Sequence, residues 1–404
     1  MSVMFLTPSD RLSRIKPSPS SVARARVLEL MQQGRQILDL TIGEPDFDTP
    51  GHVKAAGISA IERGDTKYTG AAGTIELRRA IAGKLERENG LRFEPAQIFV
   101  GAGAKQVLHN AFAATLNAGD EVIIPAPYWV SYPDMVLLSD GVPVVVPTSV
   151  DNSYKLTPSE LEAAITPRTR WVILNSPNNP TGVSYTRAER RALADVILRH
   201  DGVWLITDDI YEHFHYDSGR SISPVEAAPE LIDRTLIVNG VSKSYAMTGW
   251  RIGYGAGPAA LINLMVTLQS QTTSCVSSIS QAAAVQALNG PQDFVAQCVA
   301  EFKERRDLAM SILNTVHLLR CVTPSGAFYI FPSCAGVIGK RTPAGRVIET
   351  DFDFSMYLLE EVSVAVLDGA AYGMSPSIRL SFATSIDIVK TACLRIKEAC
   401  EALT

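Results

Sequence analysis

The chain has few cysteines, which argues against a structural zinc protein and against a disulfide-stabilised protein. Its six cysteines are scattered, without a Cys-x-x-Cys pair or a cluster of cysteine and histidine. Structural zinc sites and disulfide frameworks both need cysteines at characteristic spacings. We therefore expect no metal and no disulfide scaffold, and a reducing cytoplasm is the compartment that fits best.

The chain also lacks a strong charge of one sign and long apolar runs. It carries 42 acidic residues against 37 Lys and Arg, with no long basic tract, so a nucleic-acid partner has no electrostatic support. No apolar run approaches the roughly 18 residues that span a bilayer, so we expect no membrane segment. The first residues, MSVMFLTPSDRLSRIKPSPSS, lack the pattern of a secretory signal, although their Arg and Ser content leaves an organellar transit peptide open beside a polar arm.

The apolar residues that are present indicate an α/β protein. A length of 404 residues suggests two domains, or one large domain with a satellite. Short apolar runs alternate with helical patterns, which predicts a largely parallel sheet with helices on both faces. The runs are AQIFVG, DEVIIP, VPVVVP, RWVILN, VWLITD and TLIVNG. From Pro258 onward the pattern changes to long helical segments and then to short strands in SGAFYIF and SIRLSFA, which is typical of a second, α+β domain.

Polar residues follow these runs, at the edge of an open α/β sheet where ligands bind. The glycine-rich turn GAGAKQ after AQIFV opens a helix, whose free N–H groups suit a phosphate. Trp129 is either core packing or a ring that stacks on a flat ligand, and Asp208 is either a helix cap or a ligand group beside Tyr211. Asn179 and Lys243 follow two further runs. One cofactor needs this whole set, because pyridoxal 5'-phosphate requires an amine, a carboxylate, hydrogen-bond donors and a phosphate cradle.

The motifs NSPNNPTG, DDIYEH, SKSYAMTGWRIGY and SIRLSFA resemble those of class I pyridoxal-phosphate aminotransferases. The segments KPSPS, IGEPDFDTP, KYTGAAG, GDEVIIPAPYWVSYP and PSGAFY further resemble the bacterial aspartate aminotransferase subgroup. The resemblance implies the type I aminotransferase fold, with a large cofactor-binding domain over residues 48–290 and a small α+β domain formed by residues 1–47 and 291–404. It also implies transfer of an amino group from L-aspartate or L-glutamate to a 2-oxo acid through pyridoxamine phosphate.

The resemblance assigns roles around the cofactor ring. Lys243 matches the lysine that forms the imine with the cofactor and moves the proton of the substrate α-carbon. Asp208 matches the partner of the pyridinium nitrogen, and Tyr211 and Asn179 match the groups that hydrogen-bond the ring oxygen. Trp129 matches the stacking aromatic, and with Asn179 it also faces the substrate.

The resemblance also assigns the phosphate and carboxylate ligands. The phosphate would be held by the amides of Ala104 and Lys105, by Arg251 and by the hydroxyl of Tyr68 from a neighbouring subunit, which implies a homodimer with shared active sites. Gly240 stands where some members have a phosphate-binding serine, so Ser242 is the expected replacement. Arg379 matches the arginine that grips the substrate α-carboxylate in a bidentate fork, together with the backbone N–H of Gly43.

Substrate choice stays open in the sequence. Animal-type enzymes of the family read the distal carboxylate with a second arginine, and this chain has no clear counterpart, which leaves Lys16 and Lys105 as candidates. The same residues would serve an aromatic, alanine or prephenate/arogenate aminotransferase, or a pyridoxal-phosphate β-lyase. Transcription regulators with an aminotransferase-like domain carry an N-terminal helix-turn-helix domain, and the 40 residues before TIGEPDF are too few for one.

Overall fold

The computed structural model describes residues 7–17, 19–217 and 220–404, and only the backbone of residues 19–24. The helices are α1 (Asp10–Ser13), α2 (Pro19–Gln32), α3 (Gly51–Glu62), α4 (Ile75–Asn89), α5 (Ala104–Thr115), α6 (Tyr132–Leu138), α7 (Pro158–Ala164), α8 (Arg187–Leu198), α9 (Pro224–Ala227), α10 (Ala259–Thr272), α11 (Ser278–Asn289), α12 (Asp293–Leu313), α13 (Asp351–Glu361) and α14 (Ile386–Glu401). The strands are β1 (Leu38–Asp39), β2 (Ile98–Gly101), β3 (Glu121–Ala126), β4 (Val142–Pro147), β5 (Thr169–Asn175), β6 (Trp204–Asp208), β7 (Thr235–Gly240), β8 (Gly253–Ala256), β9 (Tyr329–Ile330), β10 (Val364–Ala365), β11 (Leu367–Asp368) and β12 (Ile378–Ser381).

A seven-stranded sheet in the order β2-β8-β7-β6-β5-β3-β4 forms the centre of the protein. The pairs from β7 through to β4 are parallel, and only β8 runs antiparallel to its neighbours β2 and β7. All six apolar runs are strands of this sheet, so the predicted α/β architecture is confirmed. The seventh strand, β8, was not predicted, because GYGA has no β-branched residue to mark it.

Helices cover both faces of this sheet, as the alternating pattern predicts. Helix α4 shows how local chemistry sets their ends: the side chain of Thr74 accepts a hydrogen bond from the amide of Leu77, and Gly90 closes the helix in the left-handed region at φ 66°. Threonine before a helix and glycine after it are residue types that favour these two end structures. Helices α10 and α11 pack on α5 and on α3 and α4 respectively, so they belong to this layer and the change of pattern at Pro258 does not begin a new one.

A second layer contains the three-stranded antiparallel sheet β11-β12-β9 and the helices α12, α13 and α14. Its core includes the buried residues Phe302, Phe328 and Leu358. That core continues to Tyr211 and Phe214, which follow strand β6 of the first sheet. The two layers therefore meet beside the carboxyl end of β6. Within the described residues, the helices are either too short or too polar to cross a membrane.

Candidate active site

A cavity of about 550 Å³ opens at the carboxyl ends of β5, β6 and β7, where the two layers meet. It is lined by eleven of the twelve residues to which the resemblance assigns a role, namely Gly43, Ala104, Lys105, Trp129, Asn179, Asp208, Tyr211, Ser242, Lys243, Arg251 and Arg379. The exception is Tyr68, whose side chain is 92% exposed on the surface. The structure therefore brings together, from widely separated positions, the groups assigned to one ligand.

Lys243 enters this cavity from the turn that follows β7. Its Nζ donates a hydrogen bond to the carbonyl oxygen of Gly43 at 2.5 Å. Burial lowers the pKa of Lys243 to about 8, against the opposing charge of Glu44 and with help from the positive charge of Arg251. A lysine in this state has an appreciable neutral fraction near pH 7, as a nucleophile needs.

Asp208 stands at the last position of β6 and is 4% exposed. Its Oδ2 accepts a hydrogen bond from the hydroxyl of Tyr132 at 2.6 Å, and its Oδ1 accepts one from the amide of Ile210 at 3.3 Å. Burial raises the pKa of Asp208 to about 6, while these two hydrogen bonds and the charge of Lys243 oppose the rise. The carboxylate is thus buried and held, and a cation beside it would favour its charged form.

The start of α5 forms an anion cradle with Arg251. Gly103 precedes the helix with φ 85°, and a Cβ at this position would lie 2.4 Å from Nη2 of Arg251. A Cβ on Gly253 would lie 2.2 Å from the amide nitrogen of Ala104. The two glycines therefore let the backbone and the guanidinium converge at a helix N-terminus, where phosphate binds well.

Arg379 lies in β12 on the other wall of the cavity and is 3% exposed. Its Nη1 donates to Oδ1 of Asn179 at 3.2 Å, and its Nη2 donates to the carbonyl oxygen of Thr41 at 2.5 Å. Its Nε is buried and has no hydrogen-bond partner among the described residues. A buried guanidinium with a donor left over is costly unless a ligand completes it, and a carboxylate is the natural partner.

Tyr211 and Asn179 also line the cavity, and hydrogen bonds to neighbouring side chains hold each of them in place. The hydroxyl of Tyr211 lies 2.9 Å from the hydroxyl of Tyr329. The amide nitrogen of Asn179 donates to Oδ1 of Asn175 at 2.8 Å, and the side-chain amide of Asn175 donates to the carbonyl oxygen of Asp208 at 2.8 Å. Asn175 therefore ties the NSPNNPTG loop to the end of β6.

Trp129 covers one side of the cavity, with its ring edge-on to Tyr132 at a centroid distance of 5.4 Å. The Nζ of Lys105 lies 5.0 Å from the centre of the Trp129 ring. Burial and the charge of Arg251 lower the pKa of Lys105, while Asp134 opposes them. Of the two lysines considered for a distal carboxylate, Lys105 lines the cavity, and Lys16 is exposed outside it.

Sequence reasoning missed ten of the residues that line the cavity, and seven of these are polar: Thr41, Glu44, Ser131, Tyr132, Asn175, Thr248 and Tyr329. Four of them act on the suggested residues through hydrogen bonds: Tyr132 and Asn175 on Asp208, Thr41 on Arg379, and Tyr329 on Tyr211. Tyr132 lies in PYWVSYP and Tyr329 in PSGAFY, two segments that resemble the bacterial aspartate aminotransferase subgroup. This resemblance was the only sequence signal that could have identified the two tyrosines as site residues.

The residues in the cavity fit pyridoxal 5'-phosphate. The glycine-lined helix start beside Arg251 suits its phosphate, and the buried carboxylate of Asp208 suits its ring nitrogen. Lys243, with its lowered pKa, suits its aldehyde. The unpartnered Nε of Arg379 leaves a donor for the carboxylate of a substrate.

A second cluster of charged groups lies outside the cavity and combines Glu88, Glu212 and His213. The ammonium of Lys84 already contacts both carboxylates, at 3.5 Å from Glu88 and closer still to Glu212. The side chain of His213 bridges Glu88, at 2.9 Å, and Ser244, at 2.7 Å. These contacts make the cluster an internal ion-pair network that braces the turn after Lys243.

Comparison with known proteins identifies close relatives of the chain over its whole length. The family described as aminotransferase class I and II matches residues 35–396. The aspartate/prephenate aminotransferase of Cereibacter sphaeroides is 54% identical, with 98% of this chain and 99% of the relative covered. The crystal structure of the aspartate aminotransferase from Rhizobium meliloti has 53% identity and a TM-score of 0.96, with 99% of this chain and 100% of that chain covered. The Thermus thermophilus aspartate aminotransferase with maleate has 41% identity and a TM-score of 0.91, with 98% and 100% covered.

Proposed function

The chain belongs to the class I and II aminotransferases, and from this premise we propose that it moves the amino group of L-aspartate or L-glutamate to a 2-oxo acid. Its cofactor is pyridoxal 5'-phosphate. The observation that carries the proposal is the position of Arg379, which lines the same cavity as Lys243 and whose buried Nε has no hydrogen-bond partner among the described residues. A group that fixes a carboxylate beside a reactive amine suits an amino-acid substrate.

The bound cofactor supplies a carbonyl carbon for the amino group and a ring that accepts electrons from the substrate α-carbon. Lys243 holds the aldehyde end and then carries the proton removed from the α-carbon. Asp208 keeps a proton on the ring nitrogen, and Tyr211 and Asn179 donate to the ring oxygen. All four residues line the same cavity, which supports these roles.

The rest of the cavity orients the two ends of the ligand. Ala104, Lys105, Arg251 and Ser242 hold the phosphate end. The position of the first three at the start of α5 and beside it supports this role, and Ser242 lines the same cavity. Trp129, which lines the cavity, would stack on the ring of the bound cofactor. At the substrate end, Arg379 and the amide of Gly43 bind the α-carboxylate.

Lys105 reads the distal carboxylate of a dicarboxylic substrate. Its ammonium lies against Trp129, and Lys105 lines the same cavity as Arg379. Relatives named as aspartate aminotransferases support a dicarboxylate, and one of their structures holds maleate, which is itself a dicarboxylate. A single-charged donor such as L-alanine would leave this lysine without a partner.

Prephenate is the second candidate acceptor. The relative from Cereibacter sphaeroides is named for both aspartate and prephenate, and it shares 54% of its residues with this chain. Prephenate carries a carboxylate in addition to its 2-oxo acid group, so the same two cationic ends would bind it. Oxaloacetate or 2-oxoglutarate and prephenate then compete for one cavity.

The active enzyme is a cytoplasmic homodimer. Tyr68 supports this proposal, because a tyrosine exposed over 92% of its surface gains from burial in an interface. The exposed apolar side chains Ile58, Ile61 and Leu264 support it in the same way. Each Tyr68 would complete the phosphate site of the partner subunit. Within each chain, residues 48–290 form the large domain, and residues 1–47 and 291–404 form the small one.

The test is a single-turnover reaction of the purified holoenzyme with one amino donor at a time. We expect L-aspartate and L-glutamate to react at much lower concentration than L-alanine or L-phenylalanine. The reverse half-reaction is then run with oxaloacetate and with prephenate, and the two efficiencies rank these acceptors. Preference for an aromatic or aliphatic donor would contradict the dicarboxylate assignment, and release of ammonia without an acceptor would indicate a β-lyase.

A further inference from the structure

Tyr329 connects the two ends of the cavity, although the proposed mechanism gives it no task. It lies in β9, is fully buried, and pairs with Ser381 of the neighbouring β12, the strand that carries Arg379. Its hydroxyl lies 2.9 Å from that of Tyr211, and the Cζ of Arg379 lies 4.5 Å from the centre of its ring. One side chain thus contacts both a cofactor group and a substrate group.

The hydroxyl of Tyr329 orients that of Tyr211. The two rings are nearly perpendicular, at 85° and a centroid distance of 5.8 Å, so the hydroxyls meet at their tips. A phenol that accepts a hydrogen bond from one neighbour has its own proton free to donate to another acceptor. When Tyr329 donates, the proton of Tyr211 is available for the ring oxygen of the cofactor. Gly43 leaves the necessary space, because a Cβ there would lie 3.0 Å from the Tyr329 hydroxyl.

The ring of Tyr329 acts separately on Arg379. The guanidinium contacts the rings of Tyr329 at 4.5 Å and Tyr372 at 5.3 Å. Its two terminal nitrogens are held by Asn179 and Thr41, as described above. Aromatic contact with a buried guanidinium is attractive and restricts its plane, which a flexible aliphatic neighbour does not do. The orientation of this plane decides how a carboxylate approaches the unpartnered Nε.

We propose that Tyr329 is a positioning residue with two separable roles. Its hydroxyl aligns the Tyr211 hydroxyl with the ring oxygen of the cofactor, and its ring fixes the plane of Arg379 for the α-carboxylate of the substrate. The proposal rests on the roles of Tyr211 and Arg379 in the proposed function. It predicts that removal of the hydroxyl and removal of the ring have different consequences.

The experiment compares Tyr329→Phe, which removes only the hydroxyl, with Tyr329→Leu, which removes the ring together with the hydroxyl. The holoenzymes are titrated with maleate, an unreactive dicarboxylate, and the visible absorbance of the bound cofactor is followed against pH. Tyr357→Phe is the matched control, because its buried hydroxyl donates to the carbonyl oxygen of Ala399 at 3.0 Å, away from the cavity. The thermal unfolding midpoint of each variant measures how far the substitution lowers the stability of the fold.

For Tyr329→Phe we expect the midpoint of the absorbance change to move up by about 0.5 to 1 pH unit, the size of one net hydrogen bond, because the charged ring oxygen loses an aligned donor. The Kd for maleate should stay within about twofold, since the ring remains. For Tyr329→Leu we expect the Kd for maleate, and the KM for the amino donor, to rise about tenfold. Tyr329→Met serves the same purpose if the leucine variant does not fold.

The midpoint should move in both variants, because both lack the hydroxyl. An equal rise of the Kd for maleate in the phenylalanine and leucine variants would therefore overturn the separation of roles. If the Tyr329 variants, like the control Tyr357→Phe, changed only in thermal stability and kept the wild-type midpoint and Kd for maleate, the proposal would be overturned entirely. The wild type distinguishes this failure from that of the proposed function. If it neither transaminates nor binds maleate, the function itself is wrong, whereas an active wild type with unaffected variants contradicts only the role of Tyr329.

Discussion

The hydroxyl of Tyr132 donates a hydrogen bond of 2.6 Å to Oδ2 of Asp208, and both side chains are buried. Burial raises the pKa of this carboxyl to about 6, and the hydrogen bond from Tyr132 opposes the rise. Burial also raises the pKa of Tyr132 well above its ordinary value, so the phenol remains a donor throughout the working range of pH. Tyr132 therefore helps to keep the buried carboxylate of Asp208 charged.

Replacement of Tyr132 by phenylalanine should make cofactor binding more sensitive to acid. The positively charged ring nitrogen needs an ionised Asp208, so binding weakens as pH falls through the pKa of that carboxyl, which is about 6 in the protein. Loss of one hydrogen bond raises this pKa further, by about 0.5 to 1 unit. The measurement is the Kd of pyridoxal 5'-phosphate for the apoenzyme from pH 5 to 8. An unchanged profile would contradict the role of Tyr132.

Replacement of Asp208 by asparagine should leave much of the cofactor bound and remove most of the turnover. An uncharged amide does not hold the proton on the ring nitrogen, so the ring accepts electrons poorly. Loss of such an electrostatic group costs about 4 kcal/mol in barrier, or roughly a thousandfold in kcat. Asp195→Asn, on the exposed face of α8, is the control for the same chemical change. Near-normal kcat would reduce Asp208 to a structural cap.

Borohydride reduction of the holoenzyme should fix the cofactor on Lys243 and not on Lys105, although both lysines line the cavity. With a pKa of about 8, Lys243 is about one tenth neutral at pH 7, and the rate of cofactor attachment should rise with pH until about 8 and then level off. Peptide mapping locates the label, and rapid mixing of apoenzyme with cofactor gives the pH profile. A label on Lys105 would overturn the assignment.

The sequence predicted most of this architecture because short apolar runs and caps are local signals. Asp208 and Lys243 were found because each follows a buried run, as ligand-binding residues of parallel sheets do. Strand β8 was missed because a strand of glycine, tyrosine and alanine carries no such signal. Tyr132 lies 76 positions from Asp208 and Tyr329 lies 118 from Tyr211, so their hydrogen bonds exist only once the chain has folded. Contacts of this kind depend on tertiary packing, which local patterns do not report.

Mixing two inactive variants should restore activity if Tyr68 acts across a subunit interface. Chains with Tyr68→Phe retain Lys243, and chains with Lys243→Ala retain Tyr68, so a hybrid dimer contains one complete site. Random exchange between closed twofold dimers gives about half hybrids, and hence roughly a quarter of the wild-type sites. Activity of the mixture and its sedimentation are measured together. A fully active monomer would exclude the shared site.

Replacement of Lys105 by methionine should lower the preference for dicarboxylic donors. The ammonium of Lys105 lies in the cavity against Trp129, and a charge-assisted hydrogen bond contributes about 1.5 to 3 kcal/mol. The efficiency with L-aspartate should therefore fall roughly ten- to a hundredfold in this variant, while that with L-alanine changes little, because alanine has no second carboxylate. The backbone amide of Lys105 also lies at the phosphate end, so the substitution could weaken cofactor binding. Such a loss would lower the efficiency with both donors equally, and it therefore cancels in the ratio of the two efficiencies.

The matched control for this test is Lys16→Met, because Lys16 is exposed outside the cavity. We expect it to react with both donors as the wild type does, since Lys16 does not line the cavity of its own chain. The single-turnover reaction of each variant with L-aspartate and L-alanine gives four efficiencies, and the ratio within each variant is the quantity compared. A ratio that collapses in Lys16→Met and stays intact in Lys105→Met would assign the distal carboxylate to the N-terminal segment instead. Equal ratios in all three proteins would mean that neither lysine selects the substrate and that the preference arises from the shape of the cavity.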